Sequence, residues 1–482
     1  MKHLRFFKNA AIVSLGGLLA KGIGALYRIP LANMLGGYGE GLYQMAYPLF
    51  CLMLTLSSAG IPTVVARAVA AEGASGRRGT TLRAALKLFA ALGAFATLLM
   101  CLLARPVARL QGDEGLLGCY LALAPAVLPV ALLSVLRGYW QGRGEMTPTA
   151  LSEIVEQLVK AGAGLALASR FAYDPVRAAR AALFAVTLSE LAALAFLAVR
   201  AREGKACRLL QRRGQGDALL FSALPAMAGA ALLPLSRMLD SVLVVRLLSR
   251  HTARAVHCYG LFAGSALSLV SMPATLCYGL VAAAVPSVAA CMARGEQGEG
   301  RRRALFALAV TLALALPCAA GLLVLAPHIV RLLYPALPAQ DAALLVRLVR
   351  LLSVSAATLA AVDTLAACLT AMGLAGRAAL SMFIAVCVKA ALQFALVGNP
   401  ALGIVGAAVA ANACYLVAFF LDLFYTVRKK REMRHVEHHR IGNKEGGTDA
   451  GRVCGAAKRA RRVRAHRAAS LGGKLEGGGD RV

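Results

Sequence analysis

The stretch that decides the fold is residues 137–150, RGYWQGRGEMTPTA. It is a polar hinge between two apolar helical segments. Its predicted hinge residues are Arg137, Gly138, Gly142, Gly144 and Pro148. The helix that follows carries Glu153, Glu156 and Lys160 on one face, because spacings of three and four residues bring side chains together. Charges are costly at the centre of a bilayer, so this face is expected to line a wet cavity inside the protein.

The chain is too apolar to be a soluble domain. Hydrophobic residues make up 59% of it, and the mean hydropathy is +0.67. These values predict an all-α polytopic membrane protein. Since about 20 helical residues cross a bilayer core, we expect about 12 transmembrane helices. They lie near residues 10–32, 42–66, 84–104, 115–137, 148–169, 180–200, 218–248, 257–290, 304–327, 342–371, 375–398 and 403–427. The run 257–290 is expected to bend at Pro273 and Pro286.

The two halves of the chain repeat each other. Residues 136–160 match residues 365–389 without a gap, at an offset of 229 positions. Residues 199–200 match 427–428, and residues 41–43 echo 260–262, at similar shifts. Repeats of six spans enter the membrane from the same side. The sequence therefore predicts two six-helix bundles related by a pseudo-two-fold axis along the membrane normal, with a substrate site between them, as in many secondary transporters.

Four segments follow from this repeat. We predict an N-terminal six-helix bundle over 1–200, a cytoplasmic connector over 201–217, a C-terminal six-helix bundle over 218–427 and a basic, disordered cytoplasmic tail over 428–482. Much of the net charge of +30 lies in the tail, so nucleic acid is not an expected partner. The positive-inside rule places both termini in the cytoplasm. Two external loops carry more positive charge than that rule favours: one with Arg170, Arg177 and Arg180, and one with Arg246, Arg250 and Arg254.

Charged residues inside the predicted spans are the candidate functional groups. The substrate-binding candidates are basic and come from both halves: Lys21, Arg28, Lys160, Arg237 and Lys389. The candidates for ion coupling or for pairing are acidic: Glu153, Glu156, Glu190, Asp240 and Asp363. A cationic cavity attracts anions, and lysine and arginine suit phosphate or pyrophosphate. A cation-coupled drug exporter would be expected to show a cavity dominated by carboxylates.

Structural explanations of the same charges stay open. Lysine or arginine near a helix end can snorkel to the lipid headgroups. Glu156 can pair with Lys160, and Arg237 with Asp240, along one helix. The chain has no GxxxxGK[ST], HExxH or GxSxG motif, so neither an enzyme activity nor a cofactor is expected. Most of the twelve cysteines lie in apolar runs and are interpreted as packing residues, without a metal site.

Several segments together resemble a known family. They are residues 137–150 with Ser152 and Glu156-Gln157 after them, Lys21 with Gly24 and Tyr27-Arg28, residues 39–48 (GEGLYQMAYP) and residues 59–62 (AGIP). In these segments the chain resembles the stage V sporulation protein B group of polysaccharide biosynthesis proteins. That group is part of the multidrug/oligosaccharidyl-lipid/polysaccharide exporter superfamily, which has the MATE fold and includes the lipid II flippases.

The resemblance implies a flippase in the bacterial plasma membrane. Such a protein moves a polyprenyl-pyrophosphate-linked sugar, lipid II or an exopolysaccharide or spore-envelope precursor, from the inner to the outer leaflet. A cationic cavity takes the pyrophosphate, which makes Lys21 and Arg28 the first-span candidates and Arg237 a weaker match. Membrane lipids and a cell-wall polymerase are the further expected partners. Na⁺ or H⁺ coupling is expected at the acidic candidates.

Two departures and two alternatives accompany this resemblance. Position 153 is glutamate where the family motif favours glutamine, and a charged tail follows Arg428 where relatives have two further spans. The first alternative is a cation-coupled multidrug exporter of the MATE type. The second is a non-transporting scaffold of an envelope-synthesis complex, in which the buried charges are interhelical pairs.

Overall fold

The computed structural model describes residues 2–58, 60–74, 80–203, 231 and 234–428, with side chains from residue 16 onward. Every regular element in this part of the chain is helical. The helices are α1 (Lys2–Ser58), α2 (Ile61–Ala74), α3 (Thr80–Gln111), α4 (Gly115–Leu123), α5 (Val127–Gly142), α6 (Thr147–Arg170), α7 (Pro175–Glu203), α8 (234–248), α9 (Ala255–Gly260), α10 (Leu267–Ala293), α11 (Gln297–Leu333), α12 (Ala339–Ala371), α13 (Ala375–Val397) and α14 (Ile404–Val427). A 3₁₀ turn, Ala124–Ala126, joins α4 to α5, and a π-helical segment, Leu261–Ala266, joins α9 to α10.

The predicted all-α membrane fold is confirmed. Among the described residues, nine segments are long and apolar enough to cross a membrane. The first, Gly16–Glu72, is divided by a kink at Gly36 into two crossings. Helix α6 is not among the nine, because it carries the charged residues Glu153, Glu156 and Lys160 within its length. With α6 and the described part of α8, the helices account for twelve crossings.

The first two predicted spans have different boundaries in the structure. The loop expected between 32 and 42 is wrong, because α1 continues through it with only a kink at Gly36 (φ 60°). The continuous span 42–66 is also wrong, since α1 ends at Ser58 and α2 begins at Ile61, around Gly60 (φ 76°). Both breaks are at glycines because positive φ costs other residues about 1–3 kcal/mol.

The irregular part of the predicted span 257–290 lies upstream of its prolines. Pro273 and Pro286 are both inside the helix α10, whereas the change of helix type is in the π-helical segment Leu261–Ala266. The predicted connector and tail lie outside the described residues, apart from 201–203 and Arg428. Residues Met1–Thr426 form one compact unit. The boundaries 1–200, 201–217, 218–427 and 428–482 stay predictions.

The offset of 229 positions recurs in the backbone. At the α5–α6 turn, the amides of residues 143, 144 and 145 donate to the carbonyls of 139, 141 and 140. At the α12–α13 turn, the amides of 372, 373 and 374 donate to those of 368, 370 and 369, each 229 positions later. Gly144 and Gly373 both have φ 75°. The two turns are thus the same structure built twice, as the repeat predicts.

The hydrophobic core is shared by the two halves at one end of the molecule only. We use two names for the ends of the molecule. The sealed end has the Gly36 kink and the connectors at 112–114, 171–174, 249–254, 334–338 and 398–403. The split end has the turns at 143–146, 294–296 and 372–374. The largest buried cluster joins residues of α1, α3 and α4 to residues of α8–α12 toward the sealed end. Toward the split end, the described residues form separate clusters in α1–α7 and in α8–α14. A gap between the halves is therefore expected to open toward the split end.

Candidate functional site

Lys21 of α1 contacts the second half of the chain. Its Nζ lies 3.2 Å from the centroid of the Tyr278 ring of α10. It also interacts electrostatically with Asp363 of α12 and with Glu153 of α6. A cation over an aromatic ring is stabilised by about 0.5–2 kcal/mol. Lys21 is nevertheless exposed, so its ammonium group remains accessible from the gap.

Three further basic candidates lie within electrostatic range of one side chain. The side chains of Arg28 in α1, Lys160 in α6 and Arg237 in α8 all interact electrostatically with Cys51. Arg28 and Arg237 are exposed, although each has interaction partners in the other half of the chain. An exposed side chain that acts on the opposite half faces the gap between the halves. The structure therefore brings Lys160 and basic groups from both halves to a shared interior.

Close packing of α1 on α6 sets the position of Lys21 and Arg28. A Cβ added to Gly16 would lie 2.6 Å from the Cβ of Ala150, and one added to Gly24 would lie 3.0 Å from Oε1 of Gln157. Small residues let two helices approach closely in a membrane. As a result, the charged face of α6 lies directly beside the two cations of α1.

The predicted ion pair of Glu156 with Lys160 is wrong, because the closest basic partner of Glu156 is Arg137. Nη2 of Arg137 lies 2.8 Å from Oε2 of Glu156, and Nε of Arg137 donates to Oγ of Ser152 at 3.0 Å. Lys160 interacts with Glu156 and Glu190 only at longer range. Arg137 reaches Glu156 because α5 and α6 turn back on each other at Gly144. Arg137 is therefore held in an ion pair and does not snorkel.

The other acidic candidates of the first half, and Asp363, lie next to basic ones. Glu153 interacts with Arg137 and Lys21, and the buried Glu190 interacts with Arg137 and Lys160. Asp363 is exposed and interacts with Lys21 and Arg237. The predicted basic and acidic sets thus intermingle.

The predicted pair of Arg237 with Asp240 is also wrong. Oδ2 of Asp240 accepts a hydrogen bond from Nζ of Lys389 at 2.5 Å, and both side chains are largely buried. This contact joins α8 to α13, and a spacing along one helix could not reveal it. Lys389 is consequently neutralised by its own partner and is not exposed like Lys21, Arg28 and Arg237. Arg237 remains without a carboxylate in salt-bridge contact among the described residues.

The hinge residues have different roles. Gly138 and Gly142 lie inside α5 and pack on α2: their added Cβ atoms would meet the carbonyl oxygens of Pro62 at 2.7 Å and Ala66 at 2.6 Å. Pro148 is in the first turn of α6, where a missing amide is tolerated. Of the five hinge residues, only Gly144 has the positive φ that a turn requires. In the same turn, the hydrogen bond from Arg143 to Oη of Tyr139 raises the pKa of the guanidinium group.

Sequence reasoning missed Glu40. This residue of α1 is 4% exposed; its Oε1 accepts a hydrogen bond from Gln44 at 2.9 Å, whereas its buried Oε2 has no partner among the described residues. The side chain packs where Gly264 of the π-helical segment has no Cβ. Residues 39–48 carried part of the family resemblance, but the loop expected before residue 42 kept Glu40 out of the predicted spans.

The described residues contain no group of three or more histidine, cysteine, aspartate or glutamate side chains that could hold a metal ion. Coupling to Na⁺ or H⁺ at Glu153, Glu156, Glu190, Asp240 or Asp363 stays a prediction.

Comparisons with known proteins agree with this architecture. The family described as "Polysaccharide biosynthesis protein" matches residues 6–292. Stage V sporulation protein B of Bacillus subtilis (strain 168) is 30% identical over 429 residues, which are 85% of this chain and 81% of that protein. Lipid II flippase MurJ of the same organism is 27% identical over 168 residues, 32% of this chain and 31% of that protein.

Among solved structures, one titled "Inward-facing conformation of a multidrug resistance MATE family transporter of the MOP superfamily" has a TM-score of 0.71 to this chain. It covers 84% of this chain and 93% of its own, at 16% sequence identity. At that identity the likeness shows the MATE fold alone.

Proposed function

Because the chain belongs to the polysaccharide biosynthesis protein family, we propose that it is a flippase for a polyprenyl-pyrophosphate-linked saccharide. It moves this lipid from the inner to the outer leaflet of the bacterial plasma membrane and catalyses no reaction. Lipid II and precursors of exopolysaccharide or spore envelope are the candidate substrates. The names of the relatives in Bacillus subtilis, a sporulation protein and a lipid II flippase, support this class of substrate.

The observation that carries the proposal is the convergence of Lys21, Arg28, Lys160 and Arg237 on the gap between the halves. Two of the three helices involved, α1 and α8, would have to expose these charges to lipid if the gap were not wet. Arginine binds phosphate oxygens through a planar fork, and lysine binds them as a point charge. A pyrophosphate group matches such a cluster in both charge and geometry.

The shape of the molecule supports a route for the substrate. With the predicted topology, the split end faces the cytoplasm, so the gap opens to the inner leaflet. The headgroup enters the gap while the polyprenyl chain stays in lipid between the two halves. Rocking of the halves then closes the split end and opens the sealed end. Each charge moved across 100 mV gains about 2.3 kcal/mol, so the membrane potential can bias this cycle.

Charge removal at the cluster tests the proposal. Lys21→Ala and Arg28→Ala are expected to abolish complementation of a flippase-deficient strain at normal membrane levels of the protein. Binding of a polyprenyl-pyrophosphate lipid, measured by native mass spectrometry, should weaken about 10- to 150-fold per residue, because a charged hydrogen bond contributes about 1.5–3 kcal/mol. Lys87→Ala, which removes an exposed lysine of α3, is the matched control. Full complementation by both cluster variants would contradict the flippase proposal.

The same variants address the alternative favoured by the MATE fold. A multidrug exporter would change drug susceptibility in Lys21→Ala and Arg28→Ala and would not need lipid-linked sugar. A scaffold for a cell-wall polymerase would tolerate both substitutions, since it needs only the surface of the protein.

A further inference from the structure

A second cavity lies at the sealed end, away from the gap. It has a volume of about 710 Å³. The first half lines it with Tyr38 and residues 111–113, and the second half lines it with residues between Val245 and His257. Small-molecule sites commonly have volumes of about 300–1,000 Å³. The cavity is therefore large enough for a diphosphate and part of a sugar.

The lining of this cavity is strongly basic. Arg246, Arg250 and Arg254 all contribute to it, whereas Asp113 is its only carboxylate among the described residues. Oδ2 of Asp113 accepts a hydrogen bond from Oη of Tyr38 at 2.8 Å, and Oδ1 accepts one from the amide of Gly115 at 2.8 Å. Asp113 is thus held by α1 and by its own loop, and it forms no ion pair with an arginine within the described residues.

Two of the three arginines form no ion pair within the described residues. Arg254 is paired with Asp341, at 2.8 Å from Nη2 to Oδ1. Arg246 instead donates to the carbonyl of Leu110 at 2.6 Å, which is a neutral acceptor. Arg250 is exposed and forms neither an ion pair nor a hydrogen bond within the described residues. The cavity therefore presents two positive charges that no protein carboxylate contacts.

These arginines belong to one of the two external loops that depart from the positive-inside rule. Basic residues are normally depleted from external loops beside transmembrane helices. A snorkelling arginine would point to the headgroups at the periphery, whereas these side chains line a cavity shared by both halves. Anion binding accounts for the departure, since a low-dielectric wall strengthens the attraction of such a cavity for phosphate.

We propose that this sealed-end cavity is a second anion site, specific for a diphosphate group. This inference rests on the proposed function: the site would take the diphosphate of a released lipid headgroup as the sealed end closes again. A free diphosphate in solution has the same chemistry. Because Arg246 of the second half holds the α3 carbonyl of the first, the cavity exists only while the sealed end is closed. A bound anion would then favour closure and return the transporter to its starting state.

Calorimetric titration of the full chain in nanodiscs with inorganic pyrophosphate tests this site. We expect two pyrophosphates per wild-type chain, one for Arg250→Glu and one for the Lys21→Ala/Arg28→Ala variant. Arg331→Glu makes the same change of charge on an exposed arginine in the last turn of α11, outside the cavity, and should still bind two. Unchanged melting temperatures without ligand would show that the variants are folded.

The outcomes separate this inference from the proposed function. Loss of one site in Arg250→Glu supports the inference even if Lys21→Ala/Arg28→Ala binds like the wild type, in which case the central site fails. Identical titrations for Arg250→Glu and Arg331→Glu would overturn the inference, whatever the central variant shows.

A competition arm identifies the source of the anion. Phosphatidylcholine vesicles with a polyprenyl diphosphate should displace pyrophosphate from the wild type if the lipid headgroup is the ligand. No displacement of pyrophosphate by these vesicles assigns the site to a free anion. If phosphatidylglycerol vesicles displaced pyrophosphate as well as the polyprenyl diphosphate vesicles do, a diphosphate site would be refuted. The arginines would then bind any anionic lipid headgroup.

Discussion

Gly260→Ala should open the sealed end. The structure holds α1 and α9 in backbone contact there: a Cβ on Gly260 would lie 2.0 Å from the carbonyl oxygen of Gly37 and 2.5 Å from the amide nitrogen of Gly41. A Cβ on Gly41 would lie 2.2 Å from the carbonyl oxygen of Val256. The repeat that aligns Gly41 with Gly260 also aligns Gly37 with Val256. The two contacts are therefore one reciprocal contact made from both halves, as at a two-fold axis.

The magnitude follows from the overlap. An ordinary contact begins at 3.4 Å, so the helices must separate by about 1.4 Å to admit the methyl group. Overpacking of this kind typically costs about 1–3 kcal/mol. The cost disappears once the halves part at this end, because the two backbones no longer touch. Gly260→Ala is therefore expected to shift the equilibrium toward the open sealed end about 5- to 150-fold.

Labelling of Cys258 reports this shift. This native cysteine of α9 is partly buried near the contact, so a charged maleimide should reach it faster when the sealed end opens. Peptide mass spectrometry gives its rate separately from that of Cys119, which is fully buried in α4 and reports unfolding. The control is Gly279→Ala in α10, where an added Cβ meets nothing within 4 Å. Equal Cys258 rates in the two variants, with Cys119 protected, would refute the reasoning.

Two further predictions concern buried groups of the interior. Lys389→Met leaves Asp240 as an unpaired buried charge, so we expect a loss of about 3–5 kcal/mol in stability, seen as a lower melting temperature in detergent. Lys389→Met/Asp240→Leu should recover much of it, and equal melting of both variants would contradict the pair. Gly264→Ala places a Cβ 2.1 Å from Cγ of Glu40 and should lower the melting temperature. Gly264→Ala/Glu40→Ala should recover, because the smaller side chain frees the space; no recovery would exclude steric conflict as the cause.

Local signals in the sequence predicted the parts of the fold that depend on local structure. Hydrophobic length predicted the crossings, and the glycine at position 144 predicted a turn that recurs at Gly373 with the same hydrogen bonds. The charged face of α6 also needed no tertiary information, because its charges are incompatible with lipid on any arrangement of helices. The presence of a charged interior was therefore predictable from one helix.

The partners of those charges were not predictable, because they depend on how helices pack. Spacings of three and four residues favoured Glu156 with Lys160 and Asp240 with Arg237. The structure pairs Glu156 with Arg137 across a turn, and Asp240 with Lys389 across 149 residues. A side chain in a membrane interior takes the partner that neighbouring helices bring closest, and sequence spacing does not record that choice.

The boundary of α1 shows a second limit. Residues 33–41 contain four glycines and two charged or amide side chains, a composition typical of a loop. They remain helical apart from Gly36, because Gly37 and Gly41 are needed for contact with α9 rather than for flexibility. Glycines that permit close packing and glycines that end helices look the same in a sequence. Glu40 was missed for this reason.

The two ends of the molecule differ in a way that connects anion binding to conformational change. At the sealed end, apart from the bond of Arg246 to the carbonyl of Leu110, the halves are joined by neutral contacts, such as Gln111 with Ser241 and Asn33 with the carbonyl of Leu333. Each such hydrogen bond contributes only about 0.5–1.5 kcal/mol net, because water replaces it on opening. Toward the split end, Lys21 and Arg28 of the first half face Arg237 of the second. Asp363 and Glu153 offset part of this charge, and the remaining positive excess between the halves is repulsive. A bound pyrophosphate would remove this repulsion and favour closure of the split end, whereas a cationic drug would increase it.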